Sequence, residues 1–72
     1  MHRLPVLSGK EIIKAFAKIG YRPVRQRGSH IRLSHPNKRS LTVPDYRTVG
    51  RGLLNKILRD SELTVEEFDS LL

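Results

Sequence analysis

Ser29-His30-Ile31-Arg32-Leu33-Ser34 is the stretch on which the fold turns. Ile31 and Leu33 alternate with His30, Arg32 and Ser34, the period-two pattern of a strand with one face in a core and the other in water. The apolar pair must point inward, so His30, Arg32 and Ser34 project from the opposite face. Turn chemistry brackets the strand: Arg27-Gly28 precedes it and His35-Pro36-Asn37-Lys38 follows. Tyr21 to Gln26 also has strand character, with Pro23 confining it to an edge or a bulge. Arg39 to Val43 alternates again, placing Leu41 and Val43 inward and Ser40 and Thr42 outward. Both connections are short, so the three strands are expected to pair antiparallel as a meander.

Helical periodicity flanks this meander. Ser8-Gly9-Lys10-Glu11 reads as a capping box, in which the Ser8 hydroxyl accepts from the Glu11 amide and the Glu11 carboxylate reaches back. Ile12, Ile13, Phe16 and Ala17 then fall on one helical face, Lys10, Lys14 and Lys18 on another, and Gly20 supplies a left-handed stop. The first helix is therefore expected over about residues 9–19, after an irregular lead-in at 1–7. Pro44 ends the sheet, residues 45–51 form a loop, and Gly52 opens a second helix with Leu53, Leu54, Ile57 and Leu58 at the same spacing. After a break near Asp60-Ser61-Glu62, Thr64-Val65-Glu66-Glu67 is a second capping box, starting a short helix that contributes Val65, Phe68 and Leu71. The expected fold is α+β: a two-layer α-β-β-β-α sandwich, with a three-stranded antiparallel sheet, helices on one face and a short C-terminal helix. The other face stays open.

Composition narrows the function. Seventy-two residues suit one domain, 1–72. The absence of Cys excludes disulfides and thiolate zinc sites. No apolar run reaches the ~18 residues of a membrane span, and Met1-His2-Arg3-Leu4-Pro5 lacks the apolar stretch of a signal peptide, so the expected location is cytoplasmic. Charge is unevenly spread. All 14 Lys and Arg lie in positions 1–59 against only Glu11 and Asp45, whereas 60–72 holds five acids and no base. Seven basic residues and no acid occur between Lys18 and Arg39. That field attracts polyanions and accelerates their encounter. An anionic membrane surface fits less well, because neither long helix sets a basic face opposite bulky aromatics.

The ordered set of a capped first helix, Gly28-Ser29-His30, a His35-Pro36 turn, Val43-Pro44, Gly52 opening an Ile57-Leu58-Arg59 helix, and Leu63-Thr64-Val65-Glu66-Glu67-Phe68 resembles the HicA family of small toxins. The resemblance covers roughly Ser8 to Leu72. It implies a double-stranded-RNA-binding-like fold, ribosome-independent cleavage of mRNA without a metal or other cofactor, and neutralisation by a HicB-type antitoxin. The free form is then expected to be a monomer that joins a hetero-oligomer with that antitoxin. The family's catalytic histidine lies in Gly-Ser-His, which assigns it to His30. Two positions depart from the family pattern: Tyr46 stands where a second histidine often follows Val-Pro, and Leu53 follows Gly52 where Thr or Ser is usual.

The residue chemistry is compatible with that expectation. RNA carries its own nucleophile, the 2′-hydroxyl, and a neutral imidazole is the side chain best suited to remove its proton near pH 7. His30 is the candidate base. Arg25, Arg27 and Arg32 are candidate phosphate clamps, since guanidinium forks match phosphate oxygens and stabilise charge building on them. Lys38, Arg51 and Lys56 complete the candidate RNA-contacting set. Gly50-Arg51-Gly52 offers open amides at a helix start, or else serves only the geometry of the loop. Lys10, Lys14 and Lys18 either track RNA backbone or form a solvated face. Tyr46 either stacks on a base or covers the sheet edge. His35 reads as a solvated turn residue or a minor phosphate contact. His30 and His35 have no third ligand at metal-binding spacing, so no metal site is expected. Three functions compete on these residues: an RNA-cleaving toxin, a non-catalytic nucleic-acid-binding module on the same basic face, and a domain that recognises an acidic protein. The expected antitoxin covers His30 and sets acidic residues against Arg25, Arg27 and Arg32.

Overall fold

The computed structural model describes residues 6–72; most of the irregular lead-in expected at the N-terminus lies outside them. The elements run α1 (Gly9–Ala17), β1 (Arg22–Arg27), β2 (His30–Ser34), β3 (Leu41–Pro44), α2 (Arg51–Ser61) and α3 (Val65–Asp69). The three strands form one antiparallel sheet in the order β1-β2-β3, and with the helices they give an open-sheeted α+β fold consistent with the double-stranded-RNA-binding-like architecture.

Both capping boxes form. Ser8 Oγ accepts from the Glu11 amide at 3.1 Å while Glu11 Oε1 accepts from the Ser8 amide at 3.0 Å. Thr64 and Glu67 repeat the exchange at 3.0 and 2.9 Å. Each box satisfies two amides that a helix start would otherwise leave open. On α1 the buried side chains are Ile12, Ala15 and Phe16, with Ile13 partly buried. Ala17, expected inward, is exposed: a face made by i, i+3 and i+4 admits Ala15 and turns Ala17 to its rim. On α2 the buried residues are Leu54, Ile57, Leu58 and Ser61, while Leu53 sits at the exposed edge of the stripe. The helix starts at Arg51, one residue earlier than expected, with Gly50 as its N-cap.

The core lies between the helices and the inner face of the sheet. Leu33, Leu41 and Val43 supply the sheet side, Ile12, Phe16, Leu54, Ile57 and Leu58 the helical side, and α3 closes it with Phe68. Phe16 stands edge-on to Tyr21, with centroids 5.4 Å apart, and tilted against Phe68 at 5.5 Å, both favoured aromatic geometries. The lead-in contributes more than the sequence pattern suggests. Leu7 is buried and forms an isolated antiparallel bridge with Val49, so the loop after β3 is stitched beside the start of α1. Gly9 makes that closeness possible: a Cβ there would overlap the Pro44 carbonyl, and its amide donates to the Tyr46 carbonyl at 2.9 Å.

β1 is an edge strand whose six residues are all exposed. Its register with β2 shifts between Pro23 and Arg25, leaving Val24 as a bulge, as the proline demands of a strand it cannot serve fully as donor. After α2, Glu62 caps the helix in the left-handed conformation at φ 61°, where a side chain costs about 1–2 kcal/mol relative to glycine. Glu62→Gly is expected to stabilise the fold by about 0.5–1 kcal/mol, the gain being reduced by the freer unfolded glycine chain. A thermal melt checks this through a Tm higher by a few degrees, and an unchanged or lowered Tm contradicts it.

Candidate nucleic-acid interface

The register fixes what the open face presents. Arg25, Arg32 and Thr42 form one row across the three strands, and Arg27, His30 and Pro44 form the next. Because Leu33, Leu41 and Val43 are buried beneath, the alternating partners His30, Arg32 and Thr42 stand outward and are exposed. Arg25, Arg27, His30, Arg32 and Thr42 together line a shallow hollow of about 170 Å³. Local bonds hold its rim. Gln26 Nε2 donates to the Gly28 carbonyl at 2.9 Å, bracing the two-residue turn between Arg27 and His30. On the other side the Asp45 amide donates to the Ser29 carbonyl. Inside the hollow, Arg32 Nη1 donates to Thr42 Oγ1 at 2.9 Å.

The lining comprises three guanidinium groups, an imidazole and a hydroxyl, with no carboxylate. Such a set suits an anion and opposes a bare cation. His30 supplies the one imidazole of the lining, and its ring makes no hydrogen bond among the described residues. Thr42 was legible as an outward residue but gave no signal of a role, because its bond to Arg32 depends on the register of β2 against β3.

The other candidate cations are not brought to the hollow. Lys38 lies at the far turn of the sheet, in a cleft of about 460 Å³ shared with Arg39, Asp60 and Glu62. There it faces the acidic C-terminal part of the chain. The Glu67 carboxyl is held below its ordinary value first by the Thr64 amide and then by the Thr64 hydroxyl, with Lys38 adding to the effect. Lys56 pairs with Asp60 at 3.2 Å along α2, and Arg51 occupies the first turn of that helix. Lys18 Nζ donates to the Leu71 carbonyl at 2.7 Å, tying α1 to the C-terminal segment.

His35 departs from both sequence expectations. It is half-buried, and neither nitrogen is left for a phosphate or a metal. Nδ1 accepts from the Asn37 amide at 3.0 Å, which puts the proton on Nε2, and Nε2 donates to the Ile19 carbonyl at 2.8 Å. Its ring packs on Tyr21 with centroids 4.8 Å apart. Gly20, at φ 101°, passes close enough that a Cβ would meet Nε2 at 3.1 Å. Tyr21 completes the lock by donating from its hydroxyl to the Arg39 carbonyl at 2.9 Å, and burial followed by the charge of Glu62 raises its pKa. His35 thus pins the end of α1 to the β2–β3 turn. Spacing gave no hint of this, since Ile19 is 16 positions away.

A small basic α+β domain with an arginine-lined hollow on a bare sheet face has the charge pattern of proteins that engage polyanions. The comparison with known families then specifies it: residues 9–63 match the family described as HicA toxin of bacterial toxin-antitoxin. The chain belongs to that family of toxins, whose place in toxin–antitoxin systems implies an antitoxin partner. No curated protein matches the sequence. Among the described residues no helix is long and apolar enough to cross a membrane.

The two histidines should separate experimentally. His35→Ala is expected to cost about 1–3 kcal/mol of stability, through the orphaned Ile19 carbonyl and Asn37 amide. Phosphate binding by the folded protein should stay unchanged. Urea melts and phosphate titration check the pair of outcomes, and parental stability combined with lost phosphate affinity would contradict the assignment.

Proposed function

We propose that this protein is a ribosome-independent endoribonuclease that cleaves mRNA with His30 as its general base and needs no metal ion. The observation that carries the reading is the grouping of His30 with Arg25, Arg27 and Arg32 in one hollow on the bare face of the sheet. Membership of the HicA toxin family supports it.

In this reading the scissile phosphate sits in the hollow. His30 removes the proton from the adjacent 2′-hydroxyl. The 2′-oxygen then forms a bond to phosphorus as the bond to the 5′-oxygen breaks, and the leaving oxygen takes up a proton from solvent water. The transfer yields a 2′,3′-cyclic phosphate and a free 5′-hydroxyl. Negative charge accumulates on the non-bridging oxygens along the way, where the three guanidinium groups stabilise it. They supply the charge compensation that a divalent cation gives in other nucleases. Lys38, Arg51 and Lys56, which do not line the hollow, are assigned at most to long-range attraction of the RNA.

The antitoxin is proposed to be of the HicB type and to cover this same face, with carboxylates opposite Arg25, Arg27 and Arg32. One surface then serves substrate and inhibitor, and binding of one excludes the other. Action on mRNA places the protein in the cytoplasm.

His30→Ala is expected to lower RNA cleavage about 10²–10⁴-fold, the usual share of a positioned base, with parental melting and RNA affinity. Cleavage by the parent protein should persist in EDTA. A folded His30→Ala variant that cuts at the parental rate would falsify the role of His30. Stoichiometric RNA binding by a parent protein that does not cut would favour a binding module instead.

A further inference from the structure

Every side chain around the hollow except one has a place in the proposed reaction or carries an obvious charge. The exception is Thr42, the neutral member of the lining. It lies on β3 directly opposite Arg32 on β2, which in turn lies opposite Arg25 on β1. It is exposed, so packing does not fix its identity, and its neighbours Leu41 and Val43 hold it outward by being buried.

A threonine hydroxyl offers one donor and two acceptor lone pairs. Here a lone pair is committed, because Oγ1 accepts from Arg32 Nη1 at 2.9 Å. Two consequences follow. The bond holds the Arg32 guanidinium over the sheet, where its remaining N–H groups are available to an anion. It also leaves the hydroxyl proton uncommitted, and accepting from a cation makes that hydroxyl a stronger donor through cooperativity. The other potential proton acceptor among the lining residues is the His30 ring, in the adjacent row of the sheet, about 7–8 Å away by the usual diagonal spacing of paired strands. A tetrahedral anion seated between the rows would bridge that gap. Its oxygens would face guanidinium N–H groups from β1 and β2, and on the β3 side Thr42 would be the polar side chain, since Pro44 in the next row has no polar side-chain atom.

We propose that Thr42 is a substrate-contacting residue whose hydroxyl donates to a non-bridging oxygen of the bound phosphodiester while its lone pair orients Arg32. The proposal rests on the ribonuclease reading for its substrate and on the hollow alone for its anion.

Two measurements on the full chain keep those two claims apart. Inorganic phosphate binding is followed through the amide resonances of His30, Arg32 and Thr42, and RNA cleavage is followed separately. Thr42→Val keeps the shape and strand preference but removes the hydroxyl. It should weaken both phosphate affinity and kcat/KM by about 10-fold, as expected for one hydrogen bond to a charged group. Thr42→Ser should return both to within about threefold of the parent, since it restores the hydroxyl with a freer rotamer. In an Arg32→Ala background Thr42→Val should still cost several-fold, because a direct contact survives loss of the guanidinium. Parental phosphate affinity and cleavage in Thr42→Val overturn the proposal and leave the ribonuclease reading intact. Absence of any further loss in the Arg32→Ala background also overturns it, as does failure of Thr42→Ser to recover. Phosphate affinity that depends on the Thr42 hydroxyl, in a parent protein that cuts no RNA, keeps the anion contact and removes the ribonuclease reading.

Discussion

The register of β2 between its two neighbours is the constraint from which the rest follows. Leu33 is fully buried and pairs with Leu41, while Ile31 pairs with Val43. Each such burial contributes about 1.5–3 kcal/mol relative to exposure. A slip of one residue would carry these side chains into water and drive His30 and Arg32 beneath the helices. Hydrophobic burial thus fixes where the histidine stands, although it touches no atom of the imidazole. The same register sets Arg25 beside Arg32 and Arg27 beside His30, so four candidate site residues are placed by one packing decision.

The periphery is organised to protect that decision. His35 and Tyr21 lock the turn at one end of the sheet to the end of α1. Gly9, Leu7 and Val49 lock the other end, where His30 lies. β1 depends least on the core. All of it is exposed, yet it carries two of the arginines that line the hollow. In the proposed reaction, clamps on an edge strand can adapt their long side chains to a substrate, while His30 stays on the central strand, held by pairing on both sides. Charge is partitioned in the same way. The acidic residues after position 59 sit around α3 and the far turn, where Lys38 and Lys56 face them, and no carboxylate lines the hollow.

Much of this was legible in the sequence, for physical reasons specific to each element. Both capping boxes read correctly because the motif is closed within four residues. The alternation in β2 read correctly because a single face is buried, and Pro23 announced the irregularity that appears at Val24. Ala15 and Ala17 were harder to tell apart, since alanine carries little periodic signal and only the packed helix shows which of them lies inside. Thr42 was placed outward, but its bond to Arg32 requires knowing which residue lies opposite. His35 was misread as solvated because Ile19 and Tyr21, which it meets just after α1, lie at a sequence separation that no local pattern encodes. Lys38 looked like part of the basic run, whereas folding carries it to the acidic end of the molecule.

The central claim is that the bare face of the sheet grips a phosphodiester with His30 beside the sugar hydroxyl. The most direct measurement is the structure of the protein bound to a short RNA made resistant to cleavage by 2′-O-methylation. The account predicts a backbone phosphate over the hollow, contacted by Arg25, Arg27 and Arg32, with an imidazole nitrogen within hydrogen-bonding reach of the 2′-oxygen. RNA lying instead along α1 or α2, with His30 facing solvent, would contradict it.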